Sequence, residues 1–425
     1  RRNHLALLKI SREEAICGIP GKDFFDSVNR STSPGYPWNM SPRVGYSGKE
    51  RFFGKGSEIS MDGPDWLDLE KSLDSIEEGL AQGRRPEFIF ADSLKDELRP
   101  IAKVDKGSTR LFCPCPIEYL ILFNVYFKSF FAGMMTTRIE SEPTIGINPY
   151  SNEWEILRRR LTRFGDGFVI AGDFESFDAR QAAQLLEAIG GSVIETFDDP
   201  EYNDIRRILW KEVFNSFHLC GKDVIEWLQS LPSGHPATSG INCLFVGTVF
   251  RMVWIMANGD DFHKITEFEN NISLSDFGDD NALNVAEPAR ELINQHTLPG
   301  LFAKIGLVYT SEDKVSTPPK FRKITEIEFL KRTFRYEPRY GRHCAPLRLE
   351  TILEIPYWTK IGLEDSVTRT NVETAIRELA LHDKEVFDKW VPKIVDLSRR
   401  RIDYVPLVVD RNVLLDQIAK LDIHY

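Results

Sequence analysis

The sequence predicts an α+β fold within the broad α/β class, a mixed or antiparallel sheet with helices packed on one face. Three observations carry this. FVIAGD (168–173) is a short, continuous apolar run, the mark of a buried strand. ISLSDFGDDNALNV (272–285) reads as a hairpin, with short strands on either side of Gly278-Asp279-Asp280. Strands and helices then interleave without the strict βαβ alternation that a parallel doubly wound sheet requires.

The elements follow in chain order. Residues 1–65 are rich in Gly, Pro and Ser and predict loops with little regular structure. Residues 65–82 predict a helix, with Leu67, Leu69, Leu73, Ile76 and Leu80 apolar among acids. PIEYLILFNVYFKSFF is interrupted by Glu118, Asn124 and Lys128, so it predicts a buried helix rather than a membrane span. After FVIAGD a helix is expected, capped by Ser176 or Asp178, with Ala182, Leu185, Leu186 and Ile189 at helical spacing. A stronger stripe runs through Ile241, Leu244, Phe245, Thr248, Val249, Met252, Val253 and Met256, with Pro236 suited to its first turn. The last ninety or so residues read as mostly helical, closing on Val413, Leu414, Ile418 and Leu421.

Composition sets outer bounds. At 425 residues the chain can form two or three domains, or one large multi-lobed body. A net charge of −10 argues against a protein that simply coats nucleic acid. It leaves room for an enzyme that threads nucleic acid through a locally basic channel, since the field depends on where charges sit. Lys95, Arg99, Lys103, Lys106 and Arg110 make one basic cluster; Arg158–Arg163, Lys320–Arg342 and Arg399–Arg401 make others, and a solvated face is the default for each. The six cysteines form no Cys-x-x-Cys pair, which predicts reduced thiols in a cytosolic compartment and suggests neither a zinc ribbon nor a redox dithiol. No signal peptide or transmembrane segment is expected. The chain opens at Arg1, so it is expected to be trimmed or cut from a longer precursor.

The chemistry lies in the carboxylates. Asp173 ends a predicted strand, and Asp279 and Asp280 sit at a hairpin tip, positions that project side chains into open space. Two-metal phosphoryl transfer needs such acids, because hard cations take oxygen ligands and the acids neutralise them. Taken alone, Gly-Asp-Asp is more commonly a plain turn.

The surrounding motifs change that balance. GDFESFDAR, PSGHPATSGIN, FGDD, EDKVS and FLKRTFR occur in order, preceded by STSPGYPW, KDELRP and KVDKGSTR. Together they resemble the RNA-dependent RNA polymerases of picorna-like positive-strand RNA viruses, from Ser31 to Arg335. The resemblance implies a right-hand fold, with fingers at 1–130 and 210–230, palm at 131–209 and 231–337, and a helical thumb at 338–425. It implies Asp173, Asp279 and Asp280 as ligands of Mg2+, with Mn2+ the alternative, and Lys314 as proton donor to the departing pyrophosphate. Asp178 and Asn242 would sense the ribose 2′-OH, a carboxylate and an amide suited to a group that both donates and accepts. Ser233 and Thr238, and the basic residues Lys95, Arg99, Lys103 and Arg110, would bind the nucleotide. Ser33, Gly35, Tyr36, Gly234, Lys331 and Arg332 would contact RNA. Implied partners are template and primer RNA, ribonucleoside triphosphates, a genome-linked peptide primer and other viral replication proteins, in host cytoplasm at membrane-associated complexes.

Three departures stand out. Phe277 replaces the family's tyrosine, Ser108 stands where picornaviral enzymes often carry a lysine, and the segment before STSPGYPW is short. Two rivals share parts of the pattern. A reverse transcriptase has paired palm aspartates but usually a small or aromatic residue where Asp178 stands. A non-catalytic RNA-binding scaffold would not need the carboxylates intact.

Overall fold

The computed structural model describes residues 6–97, 99–358 and 365–421. They fall into two compact units, Arg1–Thr137 with Ser176–Thr248, and Arg138–Glu175 with Val249–Tyr425.

In the first unit the helix Ile117–Thr136 buries twelve of its twenty residues, as its run of Ile, Leu, Phe and Tyr requires. Phe123 and Phe127, four apart and so on one face, stack at 4.5 Å. Helix Trp66–Ala81 buries Trp66, Leu69, Leu73 and Leu80; of the stripe expected of 65–82, Leu67 is instead exposed and Ile76 only half-buried. Helices Ala183–Ile194 and Asn203–Trp210 pack through Trp210, whose Nε1 donates to the Leu186 carbonyl at 2.9 Å. A Cβ on Gly190 would lie 2.2 Å from that indole, so only glycine permits the approach. Strand Ile89–Ala91 runs parallel to Ser216–Cys220, which pairs antiparallel with Asp223–Trp227. A second, two-stranded ladder joins Ser93–Leu94 to Leu111–Phe112.

The second unit is built on a four-stranded antiparallel sheet in the order Ile272–Phe277, Asp280–Val285, Val169–Phe174, Tyr309–Ser311. Val169, Ala171 and Ala282 face a cluster with Trp154, Leu157, Phe329 and Phe334. The C-terminal helices Leu349–Glu354, Asp365–Ala380, Lys384–Ile402 and Arg411–Ala419 enclose a separate core around Val372, Ile376, Leu379, Phe387 and Leu415.

Several expectations need correction. Neither Ser176 nor Asp178 caps an α-helix. The strand ends at Phe174, Ser176 adopts φ 51°, Asp178 opens a single 3₁₀ turn to Arg180, and the α-helix starts at Ala183. Asp178 therefore does not follow Asp173 by one helical turn. Pro236 lies in the turn before helix Thr238–Ala257 rather than within it. FLKRTFR (329–335), whose apolar Phe329 and Leu330 beside Lys331 and Arg332 suggest a strand, is instead a tight turn at its basic pair. Leu330 and Lys331 both take positive φ, 55° and 60°, while Phe329 and Arg332 exchange backbone hydrogen bonds at 2.9 and 3.0 Å.

The basic clusters after residue 150 are largely spoken for within the second unit. Arg158 and Arg159 pair with Glu155, Arg322 with Glu312 and Asp313, Arg335 with Asp383, and Arg339 with Asp416. Helix Thr238–Ala257 is long and apolar enough to cross a membrane, a property the sequence reading did not single out. Its Ile241, Phe245, Val246, Val249 and Val253 are instead buried inside the protein, as in a core helix.

Candidate active site

The sheet of the second unit delivers the acids. Its last register pair between the central strands is Gly172 with Asn281. Asp173 and Asp280 are the next residues on the two strands, and cross-strand neighbours have Cα atoms roughly 4.5–5.5 Å apart. Phe277 pairs with Asp280, so Gly278 and Asp279 form a two-residue turn, with Gly278 at φ 69°. Side chains alternate along a strand, so Asp280 and Asn281 point to opposite faces.

The acids feel one another. Burial of the Asp280 carboxyl, then the charges of Asp279 and Asp173, push its pKa up to about 6, while Lys331 opposes the rise. As a residue Asp280 is exposed, so the carboxyl is crowded from one side and open on the other. Three converging carboxylates are the hard-oxygen donor set that a divalent cation such as Mg2+ selects.

Lys314 reaches the same place. Residue 314 sits at φ 58° in the turn after strand Tyr309–Ser311, and its Nζ donates to Thr310 Oγ1 at 2.9 Å and pairs with Asp173 Oδ2. Asp313 fixes that turn, accepting from Ser311 Oγ at 2.6 Å and from the Val315 N–H at 3.2 Å.

Beneath the acids lies a polar knot that the sequence reading missed. Buried Asn281 donates to the carbonyls of Gly172 (3.3 Å) and Asp279 (3.0 Å), and accepts from the Tyr309 hydroxyl at 2.8 Å. A Cβ on Gly172 would lie 1.9 Å from that hydroxyl. Asn281 and Tyr309 thus hold the two strand ends together. The signal was present, since a polar residue immediately after two acids in a buried strand needs partners.

The two basic residues of the 329–332 turn diverge. Lys331 acts on Asp280 electrostatically. Arg332 turns inward: its guanidinium meets both Glu378 oxygens (3.0 and 3.1 Å), the Ala345 carbonyl (2.6 Å) and the Tyr150 hydroxyl (3.3 Å).

The remaining expected residues belong to the first unit. Asn242 donates to Asp178 Oδ1 at 3.3 Å and accepts from Gln181 Nε2 at 2.7 Å, so the carboxylate–amide pair exists and a third residue orients it. Thr238 Oγ1 donates to the carbonyls of Pro232 and His235, closing the first turn of its helix. Ser233 Oγ donates to the Leu111 carbonyl at 3.0 Å. A glycine in the loop before a helix suggests a position with φ > 0, but Gly234 does not adopt one and is required for close packing: a Cβ there would lie 2.1 Å from the Cys113 carbonyl oxygen. Gly35 needs glycine twice over, for φ 75° and for a Cβ position 2.3 Å from the Cys115 carbonyl. Its N–H donates to Ser33 Oγ at 3.1 Å, and the half-buried Tyr36 follows it.

The basic hairpin gathers around one acid. Glu97 lies 3.6 Å from Arg99, 3.4 Å from Arg110 and 4.0 Å from Lys95. Lys103 stands on the short helix Ile101–Val104 between them.

Comparison with known proteins matches the geometry. Residues 4–398 match the family model described as viral RNA-dependent RNA polymerase. The chain is 37% identical over 400 residues to the replicase polyprotein of Acute bee paralysis virus, covering 92% of this chain and 21% of that protein. It is 36% identical over 427 residues to the replicase polyprotein of Drosophila C virus, covering 97% and 24%. The chain thus spans about a fifth to a quarter of the length of these relatives. A solved Sicinivirus 3Dpol RNA dependent RNA polymerase shares the fold at a TM-score of 0.80 and 20% identity, covering 98% of this chain and 82% of that one.

Proposed function

The chain belongs to the viral RNA-dependent RNA polymerases of picorna-like positive-strand RNA viruses, and from that premise we propose that it extends an RNA primer along an RNA template. The primer 3′-hydroxyl loses its proton to solvent as its oxygen bonds to the α-phosphorus of a ribonucleoside triphosphate, the bond from that phosphorus to the β-phosphate oxygen breaks, and pyrophosphate leaves. The convergence of Asp173, Asp279 and Asp280, felt in the raised pKa of Asp280, is the observation that carries this reading.

These three carboxylates would hold Mg2+, or Mn2+ in its place, which when bound supplies Lewis acidity to the attacking and leaving oxygens. Lys314 donates a proton to the leaving pyrophosphate, and its hydrogen bond to Thr310 keeps the ammonium by the reacting groups. Asp178 and Asn242 read the 2′-OH, with Gln181 holding the amide in place. Ser233 and Thr238 shape the loop and helix start that carry Asn242. Lys95, Arg99, Lys103 and Arg110 attract the triphosphate; Glu97 keeps three of these cations together until phosphate replaces it. Lys331 meets RNA phosphate, whereas Arg332 anchors its turn to Glu378. Ser33, Gly35, Tyr36 and Gly234 guide the template.

On this reading the fingers comprise 1–130 and 210–230, the palm 131–209 and 231–337, and the thumb 338–425. The partners are template and product RNA, ribonucleoside triphosphates, a peptide primer and other replication proteins, at membrane-associated complexes in host cytoplasm. A metal-dependent extension assay on primed RNA tests the proposal. Ribonucleotide incorporation supports it, deoxynucleotide preference points to a reverse transcriptase, and RNA binding without extension points to a scaffold.

A further inference from the structure

We propose that Asp92, Cys113 and His218 form a zinc clip at the base of the basic hairpin. One ligand atom from each lies within 4.8 Å of the others. Asp92 immediately precedes strand Ser93–Leu94, and Cys113 immediately follows its partner Leu111–Phe112. The two therefore bracket the hairpin that carries Lys95, Arg99, Lys103 and Arg110. His218 comes from the middle of strand Ser216–Cys220, paired with Phe90.

The donor set suits zinc. Thiolate, imidazole and carboxylate together match a borderline-soft cation rather than Mg2+ or Ca2+. The imidazole is already oriented. It stacks on Trp227 at 3.7 Å and lies against Phe90 at 5.4 Å, with Nε2 2.9 Å from Ser216 Oγ and Nδ1 2.7 Å from Asp92 Oδ1. Without metal, the 2.7 Å contact is an Nδ1–H donated to the Asp92 carboxylate; moving that proton to Nε2, where Ser216 Oγ can accept it, would free the Nδ1 lone pair for zinc, as outer partners of metal-bound histidines do.

Charge balance points the same way. The Asp92 side chain is 4% exposed, and among the described residues its one ion-pair contact is that ring. Cys113 is buried beside it. A dication would offset both a thiolate and a carboxylate in this dry setting. On binding, the Cys113 thiol gives its proton to solvent, the imidazole proton moves by way of solvent from Nδ1 to Nε2, the Nδ1–H bond to Asp92 is lost, bonds form from zinc to Sγ, Nδ1 and a carboxylate oxygen, and water fills the fourth position. The clip would close the loop between residues 92 and 113 and tether it to the sheet.

Cobalt substitution and zinc analysis of the purified chain test this. The expected result is a thiolate-to-cobalt charge-transfer band and bound zinc in wild type, both lost in Cys113→Ser and His218→Ala. Both should persist in Cys243→Ser, which removes another buried thiol, and in Asp279→Asn. Ser216→Ala should keep the band with zinc affinity about 10–100-fold weaker. Should the ligand variants fail to fold, the wild type still decides, because zinc must raise its Tm. No band with no Tm response to zinc in wild type, or a band that survives in Cys113→Ser, overturns the clip.

Discussion

Lys314 Nζ is ion-paired with Asp173 Oδ2, placing the expected proton donor on the carboxylate expected to hold metal. An ammonium and a divalent cation compete for the same oxygen, so one must give way to the other. Lys314→Met should therefore tighten Mn2+ binding, measured by paramagnetic resonance titration, while lowering the extension rate about 10²–10⁴-fold. Unchanged metal affinity together with an unchanged rate would remove Lys314 from the mechanism.

Gln181 touches Asn242 at 2.7 Å and is fully buried. If it positions the amide that reads the ribose, Gln181→Leu should erode selection of ribo- over deoxynucleotides. The expected loss is about tenfold, the equivalent of roughly 1.4 kcal/mol. Asn242→Ala should erode selection at least as far. Competitive incorporation assays give the ratio directly, and equal discrimination in wild type and Gln181→Leu would make that contact purely structural.

The knot below the acids is a stability element. Tyr309→Phe deletes the hydrogen bond to Asn281 and should cost about 1 kcal/mol in denaturant unfolding. Gly172→Ala drives a methyl into the same ring and should cost more, about 1–3 kcal/mol. If Gly172→Ala unfolds at the wild-type midpoint, the close approach has been misjudged.

His235 sets an acid limit. Its Nδ1 accepts from the Ala237 N–H at 3.1 Å and its Nε2 lies 2.7 Å from the Tyr119 hydroxyl, which donates onward to the Leu209 carbonyl. Burial lowers the ring's pKa to about 3. The folded pKa lies below the unfolded value of 6.5, so the unfolded chain binds the extra proton between pH 6.5 and 3. The contribution is thus complete above pH 6.5 and is lost as pH falls, by about 1.4 kcal/mol per unit. His235→Gln should flatten that acid slope in chemical denaturation. A slope identical to wild type would contradict a neutral buried ring.

Much of this was legible in the sequence because local signals and tertiary demands agree. The 272–285 hairpin, strand 168–173 and the two long apolar helices each carry an apolar run or stripe that burial reinforces. The resemblance to the polymerase family, read from ordered motifs, is borne out by the family match. What stayed hidden depends on residues far apart in the chain. The 329–335 segment looks like a strand by composition, yet Arg332 is drawn inward by Glu378, 46 residues away, and the backbone folds into a turn. Gly234 is explained by the backbone of Cys113 and not by its own φ. Asn281 and Tyr309 have no shared local pattern, because their hydrogen bond forms only when strands align. The Asp92, Cys113 and His218 cluster comes from three segments, which spacing rules for metal ligands cannot detect.

Primer extension with Mg2+, comparing wild type with Asp279→Ala, is the most direct test of the central claim. The account predicts template-dependent ribonucleotide addition by wild type, none by Asp279→Ala, and superimposable circular dichroism for the two. Elongation by the folded variant at the wild-type rate would contradict it.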